Sequence, residues 1–183
     1  MFRKGNVSSV EVVVYHAGQC DPKKCTALKL EHHGLVRLVP KIKYLPNRAV
    51  MLNPFSKIAF SPADRQRIQN WGLSALDCSW KQAKKVLSNH VRGTSRCLPF
   101  LLAGNPVNFS KPTKLSTVEA LAAALLIAGF NEEADRMLSL FKWGHTFTEL
   151  NREMLDYYQK AEDSTEIIKL QTFFIRNMRT SHG

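Results

Sequence analysis

The chain has 183 residues, 44% of them hydrophobic, and a net charge of +11, which suits one compact unit or two small subdomains sharing a core. No apolar run approaches the ~20 residues of a membrane span, and residues 1–6 lack the apolar segment of a signal peptide. The expectation is a cytoplasmic protein with no membrane partner and with its cysteines, Cys20, Cys25, Cys78 and Cys97, reduced.

Taken in chain order, residues 10–15, VEVVVY, form a β-branched strand that ends at His16 and Gly18. Asp21-Pro22 opens a basic helix as N-cap and first-turn proline, and Gly34 stops it. A second strand is expected over 35–39. The segment 40–54, punctuated by Pro40, Pro46 and Pro54, reads as loop with a short extended piece over 49–52, and a loop of that length is usually functional. Residues 57–60 read as another strand, and Ser61-Pro62 opens a helix that Gly72 closes. A strand over 73–76 then delivers Asp77-Cys78-Ser79-Trp80, where Ser79 caps a helix with Lys81, Lys84 and Lys85 on one face. Strand and helix alternate up to this point, which predicts an α/β unit with a mostly parallel sheet.

Residues 98–129 organise the rest. LPFLLAG, 98–104, reads as a buried strand, and Ser116-x-x-Glu119 is a capping box at the head of a helix rich in Ala and Leu. A strand that feeds a helix N-terminus is where α/β proteins often hold anions, because the first helical amides lack partners. This stretch therefore reads as half of a ligand site. Beyond Ser116 the signals are only helical, with Asn131, Thr146 or Thr148, and Asp163 or Ser164 as N-caps. The chain divides accordingly into a basic α/β part, 1–97, and an all-α part, 98–183.

Charge follows that division. Residues 1–100 hold 17 Lys/Arg against 5 Asp/Glu, while residues 101–183 hold 9 against 10. A basic excess concentrated in one half favours a polyanion surface, with RNA as the partner.

Cys20-x4-Cys25 together with His16, His32 and His33 raises the question of a metal, but a structural zinc site takes two close ligand pairs and the remaining cysteines lie 19 apart, so no metal is expected. There is no P-loop pattern and no GxGxxG fingerprint. Asp77 and Trp80 stand where a strand meets a helix: as structural residues they are an N-cap and a core aromatic, and as site residues they suit a cation, by charge and by π face. Thr117 offers a hydroxyl and a first-turn amide to a carboxylate. A ligand that is both a sulfonium cation and an amino acid would use all three.

Four motifs, DPKKCTALKL (21–30), LDCSWKQA (76–83), LPFLLAGNPVNFSKPTKLSTVEALAAAL (98–125) and FKWGHTFTELN (141–151), resemble the archaeal and eukaryal small-subunit rRNA aminocarboxypropyltransferases, in order and over nearly the whole chain. The resemblance implies transfer of the 3-amino-3-carboxypropyl group of S-adenosylmethionine to N3 of a uridine, typically N1-methylpseudouridine, with small-subunit rRNA or a pre-ribosomal particle as partner and no metal. It also implies a fold related to the SPOUT class, with a deep trefoil knot in the α/β part, a helical second part and a monomeric chain. By position, Thr26 and Thr117 would hold the carboxylate of the transferred chain. Leu76 and Leu98 would offer backbone groups to ribose and adenine, and the Thr113 carbonyl would meet the adenine amino group. Leu52, Pro54, Leu115 and Ala120 would line the adenine pocket, while Trp80 and Ala83 would enclose the methyl group. Thr113 stands where many relatives have an aromatic residue.

The sulfonium carries three electrophilic carbons, and the one that reacts is the one in line with the nucleophile. Burying the methyl against Trp80 would present the propyl carbon, and Asp77 is the candidate to accept the N3 proton or orient the base. Lys23, Lys24, Arg37 and Lys81 are the expected phosphate contacts. Two other functions fit the same residues less fully: a knotted rRNA methyltransferase using the same donor, and a non-catalytic ribosome assembly factor.

Overall fold

A computed structural model describes residues 10–180 apart from 20, 79–82, 86 and 88–91. Its frame is a five-stranded sheet of β1 (Val12–His16), β2 (Arg37–Val39), β3 (Val50–Leu52), β4 (Leu73–Asp77) and β5 (Thr94–Arg96), in the order β2-β1-β4-β3-β5. Every pairing is parallel, and β1 and β4 run in register from Val12 opposite Leu73 to His16 opposite Asp77. The VVVY run of β1 is buried on both faces, as a central parallel strand must be when helices cover the sheet.

Six helices are described: α1 (Thr26–His32), α2 (Arg65–Trp71), α3 (Thr117–Ile127), α4 (Asn131–Ser139), α5 (Gly144–Lys160) and α6 (Ser164–Thr180). Residues 83–85 and 87 are also helical. α3 is apolar on nearly every side and is the central helix, with Leu121, Ala122, Ala123, Ala124, Leu125 and Ile127 fully buried. One apolar core runs from Val12, Val14 and Leu73 of the sheet through α3 to Phe147, Tyr158 and Ile167 of the last helices.

Two of the predicted strands are not strands. Residues 57–60 contribute only a bridge, Ala59 to Cys97, and LPFLLAG contributes only a bridge from Leu102 to Pro112. In the second case the backbone finds side chains instead of a neighbouring strand. Asn151 accepts from Leu102 N at 2.7 Å and donates to Leu102 O at 2.8 Å. Tyr158 donates to Phe100 O at 3.1 Å, and Phe100 N donates to Gln171 at 3.1 Å. An apolar run is thus buried as a strand would be, with hydrogen bonds at Phe100 and Leu102 supplied by α5 and α6 and those at Leu101 and Ala103 by the backbone of 110–113.

Helix starts also shift. α1 begins at Thr26 after Cys25, with a turn in place of the expected Asp21 cap. α4 begins after Phe130 and α5 after Trp143, where Asn131, Thr146 and Thr148 had the cap chemistry. The remaining caps follow the sequence. Ser116 and Glu119 form the capping box of α3, Asp163 accepts from the first amides of α6, and Ser61 and Asp64 cap the turn leading into α2. Gly72 ends α2 at φ +83° with Glu11 O only 2.5 Å from where a Cβ would lie, so no other residue fits there.

Candidate functional site

In a fully parallel sheet every strand ends on the same edge, and open α/β sheets hold ligands beyond that edge. A cavity of about 540 Å³ lies there. Its floor is the end of β4, Leu76, Asp77 and Cys78; its walls follow β3 (Leu52, Asn53, Pro54) and β5 (Cys97, Leu98, Pro99). The opposite side is the segment from Thr113 to the first turn of α3, Leu115, Ser116, Thr117 and Ala120, and the start of α1 contributes Lys24, Cys25 and Thr26.

The residues expected at the donor site therefore meet in one place. Thr26, Leu52, Pro54, Leu76, Ala83, Leu98, Thr113, Leu115, Thr117 and Ala120 all line this cavity, with Asp77 among them. Trp80 lies outside the described residues. Thr26 and Thr117 are each the first residue of a helix, so two helix starts, where amides lack intrahelical partners, border the cavity.

The segment 104–116 that closes the site is shaped by one buried carboxylate. Glu119 is completely buried and accepts from Gly104 N at 2.6 Å, Asn105 N at 2.9 Å and Asn105 Nδ2 at 2.7 Å. It also accepts from Ser116 N and Ser116 Oγ, both at 2.7 Å. The glutamate of the capping box therefore ties both ends of the loop together as well as capping its helix. Gly104 must be glycine, because a Cβ would lie 2.6 Å from Phe147 N. Within the loop Thr113 has φ +58°, a left-handed conformation that costs a β-branched residue about 1–2 kcal/mol and is stored where the chain faces the cavity.

Among the described residues, Asp77 is the only carboxylate on the cavity wall. Its Oδ1 accepts from Thr117 Oγ1 at 2.9 Å, which spends on Asp77 the hydroxyl expected to face a ligand carboxylate and leaves that duty to the helix amides. Oδ2 lies 3.4 Å from Cys25 Sγ and 3.4 Å from His16 Nε2. From the sequence, His16 and Cys25 come together only in the question of a metal, with Cys20, His32 and His33 and without Asp77. What joins them is the β1–β4 register, which sets His16 beside Asp77. The three side chains form a group that could hold a metal ion, while His32 and His33 face each other edge-on instead. Cys78 and Cys97 have thiols pushed up by burial, and in Cys78 by the neighbouring Asp77 as well, which favours their neutral form. Asn53, Ser95 and Arg96 brace the β3–β5 wall: Asn53 Nδ2 donates to Ser95 Oγ at 2.9 Å, and Arg96 Nε donates to Asp64 at 2.9 Å. Burial raises the Asp64 carboxyl despite that arginine.

Of the expected phosphate contacts, Lys24 lines the cavity and Lys23 is exposed beside it. Arg37 is exposed on β2 and pairs with Glu11 at 2.9 Å. Lys81 lies outside the described residues. No helix among the described residues is long and apolar enough to cross a membrane.

Comparison with known proteins fits this geometry. A family model described as "Ribosome biogenesis protein, C-terminal" matches residues 50–175. A second, described as a possible Fer4-like domain in RNase L inhibitor, matches 10–41; that span holds two cysteines, and a [4Fe–4S] cluster takes four thiolates. The chain is 46% identical, over 96% of its length and 100% of the relative's, to a protein of Methanosarcina acetivorans named 16S rRNA aminocarboxypropyltransferase. It is 49% identical to one of the same name from Methanothermobacter thermautotrophicus, over 91% of this chain and 99% of that one. Among solved structures, the SAM-dependent rRNA:acp-transferase Tsr3 from Vulcanisaeta distributa matches with a TM-score of 0.80 at 39% identity, over 90% of this chain and 97% of that one.

Proposed function

Since the chain belongs to the 16S rRNA aminocarboxypropyltransferase family, we propose that it transfers the 3-amino-3-carboxypropyl group of S-adenosylmethionine to N3 of a uridine or N1-methylpseudouridine in small-subunit rRNA, in ribosome biogenesis. The observation that carries this is the cavity beyond the strand ends, where an apolar wall, an anion-accepting pair of helix starts and one carboxylate face one another.

In this reading adenine lies among Leu52, Pro54, Leu115 and Ala120, with backbone contacts from Leu76, Leu98 and Thr113. The donor carboxylate meets the helix starts at Thr26 and Thr117, as helix dipoles favour. Trp80 and Ala83 enclose the methyl, so the propyl carbon alone lies open to the incoming base. Asp77 serves two purposes: its charge faces the sulfonium, and it accepts the N3 proton as the new bond forms. Residues 1–97 supply the basic track for RNA, with Lys23, Lys24, Arg37 and Lys81 on phosphates, and 98–183 complete the donor pocket. The fold in this reading is SPOUT-like with a trefoil knot, which the all-parallel sheet and its crossover connections accommodate. The protein acts as a cytoplasmic monomer without metal.

The test is nucleoside mass spectrometry of small-subunit rRNA incubated with the protein and carboxyl-labelled donor. Label in one uridine with release of methylthioadenosine is expected. Release of adenosylhomocysteine would make the protein a methyltransferase, and absence of saturable donor binding would make it an assembly factor.

A further inference from the structure

Three side chains at the strand-end edge are placed by three different elements. His16 ends β1 and Asp77 ends β4, side by side in the parallel register, and Cys25 stands just before α1. Their ligand atoms form a triangle of equal sides: His16 Nε2 to Cys25 Sγ, Cys25 Sγ to Asp77 Oδ2, and Asp77 Oδ2 to His16 Nε2 are each 3.4 Å. A direct N–H···O bond closes to about 2.7–3.2 Å, so the imidazole and the carboxylate stand wider apart than a pair optimised for each other. Zinc bonds of about 2.0–2.3 Å at the tetrahedral angle put N, O and S ligand atoms about 3.4–3.6 Å apart. The triangle already has that spacing. Asp77 Oδ1 is held by Thr117 Oγ1 at 2.9 Å, and an outer hydrogen bond of this kind orients a carboxylate that ligates a metal. Cys25 is buried, and the side chains of His16 and Asp77 keep only 15% and 21% exposure.

We propose that His16, Cys25 and Asp77 form a site for a divalent cation of the zinc class, and that the bound ion inhibits the protein by weakening its hold on the cationic donor. Thiolate and imidazole select zinc over magnesium or calcium, which take oxygen ligands. The ligand set is not the cysteine pair that the sequence offers: it takes one of those cysteines, one histidine and a carboxylate brought in by the sheet register. Binding releases the Cys25 thiol proton to solvent, so the cation, the thiolate and the carboxylate sum to zero charge. Cys25 and Asp77 both line the cavity, and the ion borders the space assigned to the donor. Asp77 then no longer offers a net negative charge to the sulfonium. The inhibition rests on the donor reading given above, in which transfer itself needs no metal; the metal site does not.

The two parts are tested separately. Donor-free protein, stripped with a chelator and kept reduced with a phosphine, is titrated with cobalt(II), which reports thiolate ligation by its charge-transfer absorption. The absorption should saturate at one equivalent and be displaced by zinc. It should vanish in Cys25→Ser, which changes a single atom, and His16→Ala should weaken binding at least about tenfold, since even losing a group behind a ligand costs 10–100-fold. No charge-transfer band at one equivalent, or a band that survives Cys25→Ser, would overturn the site. In the second measurement, one equivalent of zinc should lower the affinity for S-adenosylmethionine roughly tenfold, as the lost counter-charge implies, and lower that for the neutral thioether S-adenosylhomocysteine less. Equal donor affinity with and without zinc, in protein that gives the cobalt band, would overturn the inhibition. Failure of metal-free protein to bind the donor at all would instead sink the donor reading, and the cobalt titration would still decide the metal site.

Discussion

The parallel sheet and the segment 98–116 are both extended and both line the cavity, yet their backbones are satisfied in different ways. Strand pairs satisfy each other along β1, β4 and β3, so each ladder bond is one of many alike. The segment pairs with itself only at Leu101 with Thr113 and at Ala103 with Ser110 and Lys111, and takes its other partners from side chains far along the sequence: Glu119, Asn151, Tyr158 and Gln171. A ladder spreads its stability over many residues, whereas a side-chain scaffold concentrates it in a few. Substitutions should therefore be tolerated in the sheet unless they leave a void, and damaging at a handful of polar positions under the segment.

The largest effect is expected at Glu119. Five donors converge on its carboxylate, and Glu119→Gln keeps the shape while turning half the acceptor into a donor. With a buried unsatisfied donor costing roughly 1–3 kcal/mol, the variant should lose about 3 kcal/mol in denaturant unfolding. Donor affinity measured by equilibrium binding should fall at least tenfold, because Thr113 to Thr117 move with the loop. Unchanged affinity in a folded variant would show that the loop keeps its shape without the clamp.

Next is Asn151, completely buried and bonded to both backbone groups of Leu102 and to Phe147 O. Asn151→Ala strands those groups and should cost about 2–3 kcal/mol by the same reckoning. Its counterpart in the sheet is Ser74 in β4, whose buried hydroxyl has no hydrogen-bond partner among the described residues. Ser74→Ala removes an unsatisfied polar group from a position the ladder already secures, and should raise stability by up to about 1 kcal/mol. A loss at Ser74 comparable to that at Asn151 would erase the distinction between the two regions.

The same contrast explains what could be read in the sequence. The strands found at 12–16, 37–39, 50–52 and 73–77 answer the expected ones at 10–15, 35–39, 49–52 and 73–76, the first from its β-branched run and the others from short apolar runs bounded by Gly and Pro. The short β5, T-S-R, carries no such signal, and LPFLLAG carries a false one: burial makes a strand and a scaffolded segment equally apolar. The capping box disclosed the head of α3 but not the five-donor clamp, since Gly104 and Asn105 reach Glu119 only in three dimensions. At the site, the resemblance in four motifs supplied the residues that the cavity brings together, while His16 went unassigned because its meaning depends on register with Asp77.

The smallest effect on stability, and the one that sharpens the comparison most, is expected at Thr113. Its φ of +58° is unfavourable for threonine, and its amide is fixed by Leu101 O at 2.9 Å. Thr113→Gly relieves the left-handed strain of about 1–2 kcal/mol but adds roughly 0.5–1 kcal/mol of chain entropy to be lost on folding. The two nearly cancel, so the unfolding free energy should change by less than about 1 kcal/mol in either direction. Thr113→Ala keeps the strain and removes only the side chain. If the carbonyl is what meets adenine, Thr113→Ala should bind the donor as wild type does, whereas Thr113→Gly, with a freer carbonyl, should bind it several-fold more weakly at nearly equal stability. A loss of affinity in Thr113→Ala would transfer the contact to the side chain. A loss in neither would mean that Glu119 and the Leu101 contact alone fix the carbonyl, extending the scaffold's control to the one strained residue facing the ligand.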